Sequence, residues 1–167
     1  MKRFSYVSST LAATLVAAGL IAWGLIVTPV AHAVGPCVDE MTAGGWVEDG
    51  GPDLFANFGL NAKSDNGVLS GELNFVDADE ECHVVGEEVL SYTVLDESCR
   101  EIVYAVTVND VAGFTADVIV CDYGEPNTDD TFSIEVSNAS GEVVDTCSVS
   151  GTVVGGNVQL HVHGDCN

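Results

Sequence analysis

Short segments in which every second residue is hydrophobic recur along most of the sequence. In residues 69–75, apolar residues and glycine alternate with serine, glutamate and asparagine, and residues 57–63, 131–137 and 157–163 show the same alternation. A period of two places all apolar side chains on one face of an extended chain, as in a β-strand with one buried and one solvated face. The pattern therefore predicts an all-β fold.

The number and spacing of the predicted strands narrow the architecture. Residues 84–95, 102–108 and 114–120 are rich in β-branched and aromatic residues, which predicts central strands. Turn-forming residues separate the strands at Asp65-Asn66-Gly67, at Asn109-Asp110 and between Gly124 and Asp130. About eight strands at this spacing predict either an antiparallel β-sandwich or a closed up-and-down β-barrel.

Residues 1–33 differ from the rest of the chain and have the features of a signal peptide. Lys2-Arg3 supplies a positive start, residues 11–27 are almost continuously apolar, and Ala31-His32-Ala33 has the small-x-small pattern of a cleavage site. A retained membrane anchor is the alternative, because about 17 apolar residues are at the lower limit for crossing a bilayer. We expect export, cleavage after residue 33, and a single secreted domain of residues 34–167 without stable membrane insertion.

The charge of the predicted mature domain excludes several classes of partner. It keeps all 26 acidic residues of the chain but only Lys63 and Arg100 as basic residues, which makes its formal net charge −24. A nucleic acid requires a basic face, so nucleic-acid binding is excluded, and an anionic membrane surface is disfavoured for the same reason. Such acidity is also typical of proteins from saline surroundings, where salt screens self-repulsion.

All six cysteines lie in the predicted mature domain. An even number of cysteines in an exported chain favours disulfides over metal thiolates or catalytic thiols, although about fifteen connectivities are possible. Cys99 and Cys121 flank a predicted hairpin and are the best-supported pair. Cys37 with Cys166 would tie the ends of the domain together, which would leave Cys82 with Cys147, but the spacing leaves other pairings of these four open.

Six short pieces of sequence occur in a fixed order: TAGGWV from Thr42, NFGLNAK from Asn57, LSGELNF from Leu69, CDYGEP from Cys121, DTFSI from Asp130 and GGNVQLH from Gly155. From about residue 42 to residue 163, this series resembles the post-COAP domain family of small β-rich modules in exported bacterial proteins. The acidic segment Asp79-Glu80-Glu81 and the terminal cysteines depart from the family pattern. The resemblance implies a secreted all-β domain, often attached to other modules, and implies no known activity or catalytic residue.

Two acidic clusters are candidate calcium sites. The first is the loop that contains Asp122, Glu125, Asn127, Asp129 and Asp130. Calcium takes about six to eight oxygen ligands from flexible loops, so this composition suits it, although the spacing is not that of an EF-hand and a solvated turn is the alternative. The second cluster is Asp77, Asp79 and Glu81, whose mutual repulsion a divalent ion or simply water and salt would relieve. Calcium is the one cofactor that the sequence indicates.

The sequence contains no recognisable catalytic motif. A Gly-x-Ser-x-Gly elbow is absent, and the single glycine-rich stretch near a strand lacks the lysine of a phosphate loop. Acid pairs are so abundant that a glycosidase-like pair has no distinctive signature. Trp46 and three tyrosines could form a sugar-stacking platform, but their spacing does not place them on one face, and Trp46 is predicted to pack in the core.

These observations favour a secreted, non-catalytic extracellular β module with a binding or structural role at or near the cell surface, with calcium as a candidate stabiliser. Its partner would be an extracellular protein or polysaccharide. One alternative is a carboxylate-based secreted hydrolase of the glycoside type, which requires a cleft with acids of raised pKa. Another is a small-ligand-binding barrel, whose cavity Phe58, Phe75 and Phe132 would tend to fill.

Overall fold

The computed structural model of the chain describes residues 36–48, 54–124 and 129–166. These residues form eight strands and one short 3₁₀ helix at Asp145–Cys147. The strands are β1 (Cys37–Glu48), β2 (Phe55–Asp65), β3 (Val68–Asp77), β4 (Cys82–Val94), β5 (Cys99–Val108), β6 (Val111–Cys121), β7 (Thr131–Asn138) and β8 (Val149–Gly164). The predicted signal peptide, residues 1–33, lies outside the described residues.

The eight strands form a closed antiparallel barrel. Each strand pairs with the next one along the chain, and β8 returns to pair with β1 from Cys37↔Gly164 to Val47↔Val153. The all-β prediction is confirmed, and of the two predicted architectures the structure is the up-and-down barrel. Closure pairs the first strand with the last, so neither remains an open edge that could template aggregation.

Two of the hairpin turns follow directly from local sequence. Asn66 and Gly67 between β2 and β3 have φ values of 51° and 83°, and Asn109 and Asp110 between β5 and β6 have φ values of 48° and 65°. Two successive left-handed residues match the right-handed twist of the flanking strands, and asparagine, aspartate and glycine tolerate that conformation best. The predicted turns at these two positions are therefore confirmed.

The barrel interior is filled by side chains. The rings of Phe58 and Phe132 stack with centroids 3.9 Å apart, and the ring of Phe75 lies 6.3 Å from that of Phe132. These rings belong to one continuous hydrophobic cluster to which all eight strands contribute. The prediction that Trp46 packs in the core is wrong, because its side chain lies on the outer face, 41% exposed, with its six-membered ring over Gly155.

Three disulfides link the strands at both ends of the barrel. Cys37–Cys166 and Cys99–Cys121 lie at the end where β1 begins and β8 ends, which we call the terminal end, and Cys82–Cys147 lies at the opposite end. The structure has the best-supported pair, Cys99–Cys121, and of the pairings that the spacing left open for the other four cysteines it has Cys37–Cys166 and Cys82–Cys147. Cys99 and Cys121 are direct cross-strand partners between β5 and β6, as expected for two cysteines that flank a hairpin.

Candidate functional site

The first predicted calcium cluster lies in the connection between β6 and β7, beside β8. The carboxylate of Asp122 accepts hydrogen bonds from the backbone N–H of Gly124 at 2.8 Å and of Leu160 at 2.9 Å. The Oδ1 atom of Asp130 accepts the N–H of Tyr123, and its backbone carbonyl accepts the N–H of Val153, both at 2.9 Å. Two of the five predicted ligands therefore also anchor this connection to β8.

One carboxylate oxygen in this cluster has no hydrogen-bond partner among the residues that the structure describes. Asp130 is completely buried, and the unpartnered oxygen is its Oδ2 atom. A buried acceptor without a partner costs about 1–3 kcal/mol, more when it is charged, so such an atom calls for a ligand, a water or an ion. Glu125 and Asn127 lie outside the described residues. Among the residues that the structure does describe, no group of three or more His, Cys, Asp or Glu side chains is arranged to hold a metal ion.

The structure gives the second predicted cluster a local structural role. Asp77 is buried at the end of β3, and its Oδ1 atom accepts the backbone N–H groups of Asp79 at 3.0 Å and Glu80 at 3.1 Å. An aspartate that bonds the backbone two and three residues later stabilises a turn. Asp79 and Glu81 are exposed, and the structure does not bring the three side chains together as a set of metal ligands.

A buried polar cluster near the terminal end was not predicted from the sequence. Asp39 on β1 and Arg100 on β5 are each 3% exposed, and the Arg100 guanidinium donates to the Asp39 carboxylate at 2.7–3.1 Å. Tyr92 on β4 donates its hydroxyl hydrogen to the same carboxylate at 2.5 Å. Burial, together with this hydrogen bond, raises the pKa of the Tyr92 hydroxyl well above its ordinary value. The Arg100 guanidinium also donates to the carbonyl oxygens of Asp96 and Cys99, so the cluster joins β1 to β5 and stabilises this end of the barrel.

The outer face of β6 and β7 carries an aspartate whose pKa is raised by its surroundings. Asp117 lies directly opposite Glu135 in the ladder, in a groove of about 370 Å³ that Ser133 and Ser150 also line. Partial burial and the negative charges of Glu101 and Glu135 raise the pKa of Asp117. Like charges directly opposite each other destabilise a sheet, so this pair is the feature closest to a catalytic carboxylate pair.

The four aromatic residues considered as a platform are dispersed. Tyr104 is fully buried and donates its hydroxyl hydrogen to the Asn61 carbonyl at 2.9 Å, and Tyr92 belongs to the buried polar cluster. Tyr123, 56% exposed, lies beside the first predicted calcium cluster, whereas Trp46 lies on the outer face of β1. The structure therefore does not bring these four side chains together as one platform.

The described chain is thus a closed, disulfide-linked, eight-stranded antiparallel barrel with a filled interior and shallow grooves on its outer face. Comparison with family models, with curated proteins and with solved structures finds no match for this chain. Within the residues that the structure describes, no helix is long and apolar enough to cross a membrane.

Proposed function

We propose that the chain is a secreted, non-catalytic extracellular β module with a binding or structural role at or near the cell surface. The observation that carries the proposal is the set of three disulfides, two at one end of a small barrel and one at the other. Disulfides persist in oxidising compartments and are rare in the cytosol, so they favour an extracellular location. The signal-peptide features of residues 1–33 and the resemblance to the post-COAP domain family support the same role.

The filled interior favours a role carried by the outer surface. Stacked phenylalanine rings occupy the space that a small-ligand barrel would keep open. The buried acids Asp39, Asp77 and Asp130 each accept hydrogen bonds from protein groups, which supports structural duties for them. Partners would therefore be recognised by the outside of the barrel.

Export is tested by expressing the full chain in a bacterial host and sequencing the N-terminus of the protein found outside the cytoplasm. We expect a mature chain that begins at Val34, has no free thiol and has the mass of three disulfides. The Ala33→Leu variant is the matched control, because a bulky residue at this position blocks the small-x-small cleavage pattern. A full-length chain that stays in the membrane, or one with free cysteines, would contradict the proposal.

We further propose that calcium stabilises the mature domain at the cluster around Asp130, where a buried carboxylate oxygen lacks a partner in the described part of the chain. A cation that binds only the folded state at about 100 times its dissociation constant adds about 2.7 kcal/mol. We expect millimolar calcium to raise the melting temperature and a chelator to reverse the rise. The Asp130→Asn variant should lose this response and the exposed Asp145→Asn control should keep it. Equal curves with calcium and with chelator would refute calcium stabilisation.

A hydrolase is the second candidate, because the raised pKa of Asp117 beside Glu135 is one requirement of carboxylate catalysis. The test is release of reducing sugar from polysaccharides by the wild-type protein, measured beside the Asp117→Asn variant. The proposed module releases none. Hydrolysis that the Asp117→Asn substitution abolishes would establish the hydrolase instead.

A further inference from the structure

The strand register assembles a surface of uncharged polar residues on the outer face of β8, β1, β2 and β3. One row across these strands is Asn157, Gly44, Gly59 and Asn74. The neighbouring outward-facing row nearer the terminal end contains Thr42 opposite Asn61. The neighbouring row on the other side contains Trp46 opposite Asn57. We call the surface formed by Gly44, Trp46, Asn57, Gly59, Asn61 and Asn157 the neutral face.

Two glycines form the floor of the neutral face without a structural requirement for glycine. A Cβ atom at Gly59 would meet nothing within 4 Å, and one at Gly44 would meet only the Phe58 carbonyl at 3.8 Å. Gly155 differs, because a Cβ atom there would lie 2.3 Å from the Trp46 ring. Glycine weakens a strand interior and often marks a place where a ligand approaches the backbone closely.

The residues around this floor have free hydrogen-bonding groups. Asn57 and Asn61 are exposed and Asn157 is half-buried, and within the described part of the chain their side-chain amides make no hydrogen bond. Each amide offers both donors and an acceptor. Trp46 adds an exposed aromatic surface at one border, so donors, acceptors and an aromatic ring surround one shallow floor.

The charge of the neutral face differs from that of the whole domain. Glu72, opposite Asn61, is the single acidic residue in the three rows, although the predicted mature domain has a net charge of −24. Two grooves of about 280 and 390 Å³ approach this floor; uncharged residues line the smaller one, and the larger one is also lined by Glu72 and Glu87 on β3 and β4. The row from Asn157 to Asn74 crosses three strand spacings, or about 14 Å. An uncharged ligand of this length with many hydroxyl groups would match the amide groups and the low charge of these rows.

We propose that the neutral face binds a neutral polysaccharide, with one sugar ring stacked on Trp46 and hydroxyl groups hydrogen-bonded to Asn57, Asn61 and Asn157. Gly44 and Gly59 allow the sugar chain to lie against the backbone of β1 and β2. The inference rests on the proposed role of an extracellular module and specifies the class of partner. Anionic polysaccharides are excluded by the surrounding negative charge.

The test is affinity electrophoresis and pull-down of the purified mature domain with neutral polysaccharides (cellulose, chitin, xylan and mannan) and anionic ones (alginate and polygalacturonate). We expect binding to at least one neutral polysaccharide and to neither anionic one. Gly59→Thr fills the floor, and we expect it to weaken binding by about tenfold or more while the melting temperature stays equal or rises. We expect Trp46→Ala to weaken binding similarly, whereas Tyr123→Ala and Ser133→Thr, which change other surfaces, keep wild-type affinity.

Three results would overturn the inference, and they differ from those that would overturn the proposed function. Binding that Gly59→Thr and Trp46→Ala leave unchanged would remove the neutral face as the site while the role of binding module stands. Binding to the anionic polysaccharides alone would refute the proposal that the partner is a neutral polysaccharide, and so would the absence of binding to any of the six. The export and hydrolysis experiments decide the secreted, non-catalytic role separately.

Discussion

Substitution of Arg100 by methionine tests the buried ion pair that joins β1 to β5. The Arg100 guanidinium makes three hydrogen bonds to Asp39 and two more to the carbonyl oxygens of Asp96 and Cys99, at 2.8 and 2.9 Å. Methionine retains much of the volume but removes the charge. The Asp39 carboxylate would then stay 3% exposed, with the Tyr92 hydroxyl as its remaining hydrogen-bond donor in the described structure.

The expected cost follows from that stranded carboxylate. Removing one partner of a buried ion pair costs about 3–5 kcal/mol, because the other charge remains buried without compensation. For a domain of this size the loss lowers the melting temperature by about 10 to 20 °C. The double variant Arg100→Met/Asp39→Leu removes both charges, so it should recover most of the loss, since apolar replacements of a buried pair are often neutral.

The assay is urea unfolding of the mature domain with its disulfides intact, which yields the free energy of unfolding and its denaturant slope. Lys63→Met is the matched control, because Lys63 is the other basic residue of the predicted mature domain and its exposed ion pair with Asp65 spans 3.3 Å. That control should cost less than about 1 kcal/mol. An Arg100→Met loss as small as the control, or a double variant less stable than the single one, would refute the reasoning.

Three further predictions concern charge and disulfides. Asp117→Asn should stabilise the domain at neutral pH, because a raised pKa means that the folded state binds the proton more tightly than the unfolded chain and that ionised Asp117 opposes folding. In urea unfolding curves this gain in the free energy of unfolding should vanish below pH 3.8, the ordinary pKa of aspartate. The Glu72→Gln control should show no such gain. Replacing the Cys37–Cys166 pair by serines should lower the free energy of unfolding by about 1 kcal/mol or more beyond the loss from replacing Cys99–Cys121. The two disulfides close loops of 129 and 22 residues, and a longer closed loop restricts the unfolded chain more. Calorimetric melting of the two variants measures the difference. The melting temperature of the predicted mature domain should rise between low salt and about 1 M NaCl, because salt screens its net charge of −24, and a flat response would contradict this.

The strands and turns with clear local signals were predictable. Alternation of side-chain direction depends on neighbouring residues alone, so residues 69–75 and 131–137 identified β3 and β7. The turn at Asn66-Gly67 was equally local, because both residues tolerate positive φ. Wherever the cause of a conformation lay within a few residues, the sequence was sufficient.

The first half of β8 and the position of Trp46 required the closed barrel. Gly151, Gly155 and Gly156 are typical of a loop, yet they lie within one strand that pairs first with β7 and then with β1. Gly155 leaves the space that the Trp46 ring occupies on the outer face. Neither fact can be read locally, because β1 and β8 are more than 100 residues apart in the chain and meet only when the barrel closes.

The candidate sites show the same division between features that neighbouring residues determine and features that depend on distant strands. Arg100 follows the inward alternation of Ile102 and Tyr104, which indicates a buried cation, but its partner Asp39 is 61 residues away among 26 acids. Composition and patterning were enough to establish an acidic, disulfide-rich β domain, because charge, cysteine number and period two are properties of the chain itself. The choice of barrel over sandwich, the buried ion pair and the neutral face depended on strand register, which is decided only when distant strands compete to bury their apolar faces.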